Sequence, residues 1–385
     1  MRRAAASREI RIAGLELQTI GRKVNMYTDR RNYGCRLTTD LLYKGYRAIV
    51  LENELLEVTV LADKGTDITE FLYKPTDTDF MFRSPLGLRP AGLFVPTSSP
   101  TFGAFGDRWQ GGWPEIFPAG GPPSNYKGAE FGQHGEVATI PWEFQVVEDT
   151  PRRVAVRFWV RTYRTPFLLE KTLWLESGKA VLGVDEKATN DGAEEMHLMW
   201  GHHPTFGPPF LDDRCRVDVP AQRLLSAPGI PISRVSPGAE LPWPIAPGKD
   251  DQPVDLRQVA PPESHLNDML FLTDLTEGWY GITNIEKKVG FGMAWDPSLF
   301  KYVWYWLEAR GSYGYPFYGK VYAMALEPWT SHVIWGASMP GLAAAVNNGT
   351  AIKLGAGESL ETSLVAVAYA GLDKVSRIER DGTVS

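Results

Sequence analysis

The sequence predicts a single all-β domain built as a large antiparallel sandwich, and three observations carry that expectation. Apolar runs of strand length recur from Tyr46 onward, several of them alternating with polar residues. The chain holds 38 Gly and 29 Pro in 385 residues, enough to punctuate many short elements. No segment shows the 3.6-residue periodicity of a long amphipathic helix, so turns rather than helical crossovers must join the strands.

Residues 1–45 give weak signals and are expected to form an N-terminal arm or edge hairpin, ahead of a sandwich domain over 46–385. Arg47–Glu52 and Leu55–Leu61 flank Asn53-Glu54 and read as a hairpin. The turn Lys64-Gly65-Thr66 leads into a strand over Ile68–Tyr73, followed by the short apolar run Phe80–Phe82. Residues 85–135 are rich in Gly, Pro and aromatics but almost without period, which in a compact domain marks a functional loop. Their aromatic content argues against disorder.

The middle of the chain is plainly β. Val154, Val156, Phe158 and Val160 alternate with Arg153, Arg157 and Arg161, giving one buried and one wet face. Phe167, Leu169, Leu173 and Leu175 alternate with Glu170, Thr172 and Glu176, although Lys171 falls on the apolar side. Ala180–Thr189 and Met196–Trp200 are further strands. Residues 221–262 form a Pro-rich excursion with no strong pattern. Strands resume at Met269–Thr273, Tyr280–Asn284, Gly290–Trp295, Tyr302–Leu307, Val321–Leu326 and Ser359–Ala368.

Composition narrows the classes of function. With 43% hydrophobic and 22% charged residues the chain is that of a soluble globular protein. A net charge of -6 leaves no footprint for nucleic acid or an anionic membrane. No apolar run is long enough to span a bilayer, and the basic start Met1–Ser7 has no hydrophobic core behind it, so no secretory signal is expected. Cys35 and Cys215 share no metal-ligand spacing, and a reducing cytoplasm is the expected compartment. There is no G-x-G-x-x-G or P-loop string and no repeat of fixed period. Of the 13 Trp, most should be core, with a few left to face a ligand such as a sugar ring.

Three places carry residues suited to acid/base chemistry. The stretch Trp200-Gly201-His202-His203-Pro204-Thr205-Phe206-Gly207 sets two of six histidines side by side. Neighbours on a strand point to opposite faces, so only one of them can serve a given cleft. Pro204 biases His203 towards extended backbone and removes a ladder donor, so the strand ends here. His134 lies in the Gly-flanked segment Phe131–Glu136; taken alone it reads more readily as a hydrogen-bonding turn residue than as a catalyst. Glu327 ends an apolar run, where a carboxylate needs a reason to be buried: an acid/base role or a salt bridge to a core-facing Arg. Partial burial raises a carboxylate's pKa, and imidazole already exchanges protons near neutrality. Asp268, before Met269-Leu270-Phe271-Leu272, is a further carboxylate that reads as a strand start.

In their order and spacing these motifs resemble the galactose mutarotase-like superfamily, which contains the aldose 1-epimerases and hexose-phosphate mutarotases. Trp109-Gln110-Gly111-Gly112-Trp113-Pro114-Glu115, then Gly132-Gln133-His134-Gly135 and Pro141-Trp142-Glu143, are similar to the family's Gly-Gly-x-Pro, His-Gly and Trp-Glu series. Gly201–Phe206 resembles its Gly-x-His-Pro-x-Phe element, Leu326-Glu327-Pro328 the segment with its catalytic glutamate, and Gly357–Thr362 its last strand entry. The likeness runs from about Ala48 to Tyr369.

The resemblance implies an antiparallel supersandwich with a sugar cleft across one sheet face and no cofactor or metal. It implies His203 as general acid, Glu327 as general base, and His134 as a ligand of sugar hydroxyls and an electrostatic helper. Asp268 falls where the epimerases place a hydroxyl-binding aspartate. The phosphosugar branch tends to carry Arg immediately before Gly-Gly; here that position is Gln110, with Arg108 two residues earlier, so both join the candidate substrate-binding residues and phosphosugar recognition stays open. His202 is left a supporting role, and Trp304 and Trp306 are candidates to stack on the sugar. The expected partner is a monosaccharide or sugar derivative, neither nucleic acid nor membrane, taken by a monomer or homodimer. Two other readings stand beside the mutarotase: a carbohydrate-binding protein that has lost catalysis, and a metal-dependent sugar isomerase using His134, one of the His pair and Glu327. No His-x-His or His-Glu-x-x-His spacing favours the last.

Overall fold

Phe291 sits where the sheets of the domain meet. Its ring packs on Phe71 and Phe206 at centroid distances of 5.1 Å each, and on Phe80 at 5.7 Å. Phe71, Phe80 and Phe291 fall on runs that the sequence marks as strands or apolar runs, and Phe206 on the short strand Thr205–Phe206 just past Pro204. The computed structural model describes residues 31–92, 103–333 and 340–385, and Asn32–Ser385 form one unit. The first thirty residues of the expected N-terminal arm lie outside the described residues.

Every strand ladder among the described residues is antiparallel. Five strands form a meander, Arg36–Tyr43, Tyr46–Glu52, Leu56–Leu61, Asp67–Tyr73 and Thr78–Asp79. The predicted hairpin turns where Asn53 Oδ1 accepts from the N–H groups of Leu55 and Leu56 at 2.8 and 2.7 Å, a side chain standing in for a backbone acceptor. An eight-stranded back sheet runs in the order Cys215–Asp218, Trp279–Asn284, Val289–Trp295, Ser359–Ala370, Val181–Asn190, Phe167–Glu176, Arg153–Arg161, Glu143–Asp149. A front sheet runs Glu240–Pro242, Arg223–Ser226, Leu266–Thr273, Tyr302–Ala309, Tyr322–Trp329, Gly201–His202, Glu115–Ile116, with Thr205–Phe206 also paired to Tyr322–Trp329. This is the antiparallel sandwich that the turn-rich, helix-poor sequence predicts.

Two stretches are more ordered than their patterns suggest. Residues 221–262 hold four short strands, Arg223–Ser226, Glu240–Pro242, Ile245–Pro247 and Pro253–Asp255. Three or four residues are too few for periodicity to register. Residues 85–135 include a six-residue helix, Gly103–Arg108, and the small hairpin Ser124–Tyr126/Ala129–Phe131. Among the described residues no helix is long and apolar enough to cross a membrane. Cys35 and Cys215 are both buried and not joined in a disulfide.

The front sheet decides which side chains can meet a ligand. Along Tyr302–Ala309, Val303, Tyr305 and Leu307 enter the core between the sheets, so Trp304, Trp306 and Glu308 take the other face. On the flanking strands the same alternation places Asn267, Met269 and Phe271, and Ala325, Glu327 and Trp329, on that outer face. The ladder sets Asn267 opposite Glu308, Met269 opposite Trp306, and Glu327 opposite Trp304.

Candidate active site

On that outer face lies a pocket of about 290 Å³ with an aromatic wall of Phe105, Trp109, Trp304, Trp306 and Phe317. His134, His203 and Glu327 line it together. The three sites that the sequence separates by more than sixty residues each thus converge. His203 Nε2 stands 3.5 Å from Glu327 Oε1, and both side chains are buried. The ring of His134 meets that of His203 edge-on, with centroids 5.4 Å apart.

The hydrogen bonds settle where the protons sit. Thr205 Oγ1 donates to the carbonyl of His203 at 3.3 Å, and its one hydrogen is then used. It can only accept from His203 Nδ1–H, 3.1 Å away, which leaves the Nε2 lone pair facing Glu327. Glu327 Oε2 accepts the Trp329 indole N–H at 2.8 Å, so Oε1 is the oxygen turned to the imidazole. Burial raises the Glu327 carboxyl well above the ordinary carboxylate range, against the opposing pull of the Trp329 N–H. Burial also lowers His203 to about 4. Burial thus favours the uncharged form of both groups. His134 Nδ1 accepts the Gly121 N–H at 3.3 Å, so its neutral ring carries hydrogen on Nε2. Burial, and then the neighbouring His203, hold its pKa well below 6.5.

Local backbone explains why these side chains stand here. Gly111 and Gly112 have φ of +97° and +76°, and a Cβ on them would fall 1.9 Å from Phe82 O and 2.6 Å from Asp67 Oδ1. Only glycine permits this turn, which lets Pro114 O take the His203 N–H at 3.0 Å and Gly112 O take that of Thr205 at 2.9 Å. Gly201 lies face to face with the Trp329 ring; a Cβ there would come within 2.2 Å of it. Trp329 has no retreat, because it stacks on Trp304 at 4.1 Å and Gly120 closes on it as well. Gly201→Ala is expected to cost roughly 1–3 kcal/mol of stability through overpacking and to turn the indole away from Glu327. Thermal unfolding of the purified variant checks this, and an unchanged midpoint would mean the ring has room after all.

His202 goes to the other side of the strand, as alternation requires. Its Nε2 lies 3.1 Å from Glu186 Oε2, and the Trp113 indole N–H approaches its Nδ1 at 3.4 Å. Beside it Lys171 Nζ lies 2.8 Å from Glu115 Oε2, while the Trp200 indole donates to Glu115 Oε1 at 2.7 Å. This cluster of Glu115, Lys171, Glu186 and His202 bridges the two eight-stranded sheets. It also supplies the reason for Lys171 on an apolar face: it is the counter-charge of Glu115. Desolvation works to raise the Glu115 carboxyl, but Lys171 and then His202 outweigh it and hold the group below its ordinary value. Glu186 is pushed up to about 7 by burial and then by the charge of Glu115.

His202 is therefore no pocket ligand, and three other candidates also lie elsewhere. Asp268 is fully buried behind the front sheet, where its carboxylate accepts from Ser233 Oγ at 2.7 Å, Arg234 N at 2.8 Å and Arg234 Nε at 2.6 Å. It ties the 221–262 segment to the sheet; alternation hands the pocket to its neighbours Asn267 and Met269. Gln110 turns to Asp67, with Nε2 3.4 Å from Oδ2. Arg108 is exposed and donates to the Thr139 carbonyl at 3.1 Å. Trp304 and Trp306 do line the pocket, and Trp304 is held by its N–H on Ser331 O at 2.9 Å. Residue-level reading missed Asn267, although the alternation of Leu266–Thr273 against Glu327 and Trp304 could have found it. Trp109, the first residue of the Gly-Gly motif segment, also lines the pocket, although nothing in its local pattern marks it as a ligand.

Among the described residues, the His/Asp/Glu group whose ligand atoms lie within 4.8 Å of one another is Glu115, Glu186 and His202, not the pocket trio. The Lys171 ammonium already stands against it, so its donor set fits a charge network better than a cation.

The antiparallel sandwich is the fold of solved galactose mutarotase-like structures. A Klebsiella pneumoniae protein provisionally named as an aldose 1-epimerase superposes with TM-score 0.65 at 13% identity, covering 87% of this chain and 83% of that one. A galactose mutarotase related enzyme from Lactobacillus acidophilus gives 0.57 at 17%, covering 86% and 100%. A galactose mutarotase-like protein from Clostridium acetobutylicum gives 0.56 at 15%, covering 88% and 99%. At these identities the likeness is one of fold. No curated protein matches the chain. The chain belongs to the family described as Domain of unknown function (DUF4432), whose profile matches residues 43–366.

Proposed function

We propose that the protein interconverts the anomers of an aldose by acid/base ring opening at His203 and Glu327. The observation that carries this reading is the pair itself: Nε2 and Oε1 3.5 Å apart and buried at an aromatic pocket, close enough to pass one proton between them. In the reactive arrangement that proton is on His203. The Glu327 carboxylate takes the proton of the C1 hydroxyl, the bond from C1 to the ring oxygen breaks, and His203 gives its proton to that oxygen. Rotation about C1–C2 and reclosure with the roles reversed yields the other anomer. The proton count of the pair is the same before and after, so neither redox partner nor cofactor enters the balance. The Trp329 N–H supports the carboxylate form, and His134 Nε2–H is placed to donate to a sugar hydroxyl.

NMR exchange between anomers, measured over a panel of aldoses, tests the proposal. Its pH dependence is specific. Activity needs the pair with one proton, and His203 in the empty site takes up a second only near about 4. The acid limb of kcat/KM is therefore expected near that value. A limb near 6.5, the ordinary value of an exposed histidine, would contradict the buried pair. Sugar binding without any catalysed exchange would instead leave a carbohydrate-binding protein on this fold.

A further inference from the structure

Two fully buried polar atoms among the pocket-lining side chains have no partner. Asn267 Oδ1 and Trp109 Nε1 are both buried and neither makes a hydrogen bond. Leaving such a group unsatisfied is costly, so each is a place where a ligand would be rewarded. The Asn267 amide cannot flip to hide its oxygen. Its Nδ2 donates to Glu308 Oε2 at 2.7 Å and to Ser312 Oγ at 3.1 Å. Glu308 is in turn fixed by the N–H groups of Gly311 and Ser312 at 2.7 and 3.0 Å, and by Ser312 Oγ at 2.6 Å. The carboxamide is thus locked with its acceptor unspent. The Trp109 ring is held edge-on to Trp306 and Phe317, at 5.9 and 6.0 Å, and its donor is unspent. Among the described residues no Lys or Arg lines the pocket, and its one acidic residue is Glu327. An anionic group would lose its water here without gaining a counter-charge.

We infer that Asn267 and Trp109 are the specificity-determining residues of this site, one accepting from and one donating to hydroxyls of an uncharged sugar. This rests on the reading of the pocket as a sugar site. It also answers the question that Gln110 and Arg108 leave open in the sequence: the pocket selects against phosphorylated and carboxylated sugars.

Ligand-observed NMR titration tests the inference as binding, apart from turnover. The probes are D-glucose, D-galactose, D-xylose and L-arabinose, with glucose 6-phosphate and galacturonate as the charged counterparts. The neutral sugars should bind, and each charged probe at least about tenfold more weakly than its parent. Trp109→Phe keeps the ring and removes the donor; Asn267→Ala removes the acceptor. Each should weaken the best neutral sugar roughly two- to tenfold, as loss of one hydrogen bond predicts. That loss should vanish for one monodeoxy analogue of the sugar and persist for the others. An equal loss for every analogue, charged probes bound as tightly as neutral ones, or no binding of any neutral sugar would each overturn the inference. Should Asn267→Ala fail to fold, Trp109→Phe carries the test alone. Binding in this pattern without anomer exchange would sink the proposed catalysis and leave the specificity assignment standing.

Discussion

Glu327→Gln is expected to slow catalysed anomer exchange by roughly a hundred- to ten-thousand-fold, the usual contribution of a positioned acid/base group. The substitution nearly preserves shape: the amide oxygen still accepts the Trp329 N–H, and the amide nitrogen can donate to His203 Nε2. What is lost is the movable proton. A pH series of unfolding separates this loss from damage to the fold. Because burial raises the Glu327 pKa in the folded state, its contribution to stability is fully present below the unfolded value and is lost as pH rises through the folded one. Glutamine has no such dependence. The variant should therefore match the wild type near pH 4 and gain on it as pH rises towards 8, while exchange stays low throughout. A variant that is equally active, measured by NMR exchange on the sugar that the wild type turns over fastest, would remove Glu327 from the mechanism. His203→Asn provides the companion measurement on the other half of the pair.

Lys171→Met should produce the largest loss of stability, about 3–5 kcal/mol, the cost of leaving one partner of a buried ion pair behind. For a chain of 385 residues that corresponds to a fall in Tm of roughly 5 °C. Glu115 is almost wholly buried, so without the ammonium its carboxylate has only the Trp200 indole and His202 to support it. Desolvation then dominates and raises its pKa. The sign follows: the defect should be greatest at alkaline pH and shrink as pH falls and Glu115 protonates. Lys171→Met combined with Glu115→Gln should recover most of the stability, giving a coupling energy that neither single variant predicts. If the double variant were as unstable as the sum of the two, the pair would not be the unit that matters. Since His202 belongs to this network and precedes His203, the cluster also anchors the strand end that presents the imidazole to the pocket.

Much of this was legible in the residues. The runs read as strands between Arg47 and Ala368 are strands with short shifts at their ends, because period-2 burial needs no knowledge of neighbours, whereas Glu143–Asp149, Cys215–Asp218 and the short strands of 221–262 were not legible. Alternation at His202-His203 required one ring to leave the cleft. The order of the Gly-Gly, His-Gly, His-Pro and Glu-Pro motifs then selected His134, His203 and Glu327, which the fold brings together. Asp268 was misplaced because motif spacing aligns positions to within a residue, and a shift of one residue on a strand changes the face.

Which face holds the pocket was decided only in three dimensions. The sequence by itself determined an antiparallel sandwich, a lysine out of place at 171, and a short set of candidate acid/base residues. The tertiary structure decided that Lys171 answers Glu115 across the sheets. It decided that Asn267 rather than Asp268 lines the pocket. It decided also that Glu327 and His203 meet, both buried, at 3.5 Å. The physical reason is the same in each case. Periodicity along a strand is a local property of the chain, whereas desolvation and pairing depend on what another strand, distant in sequence, brings to the same few ångströms.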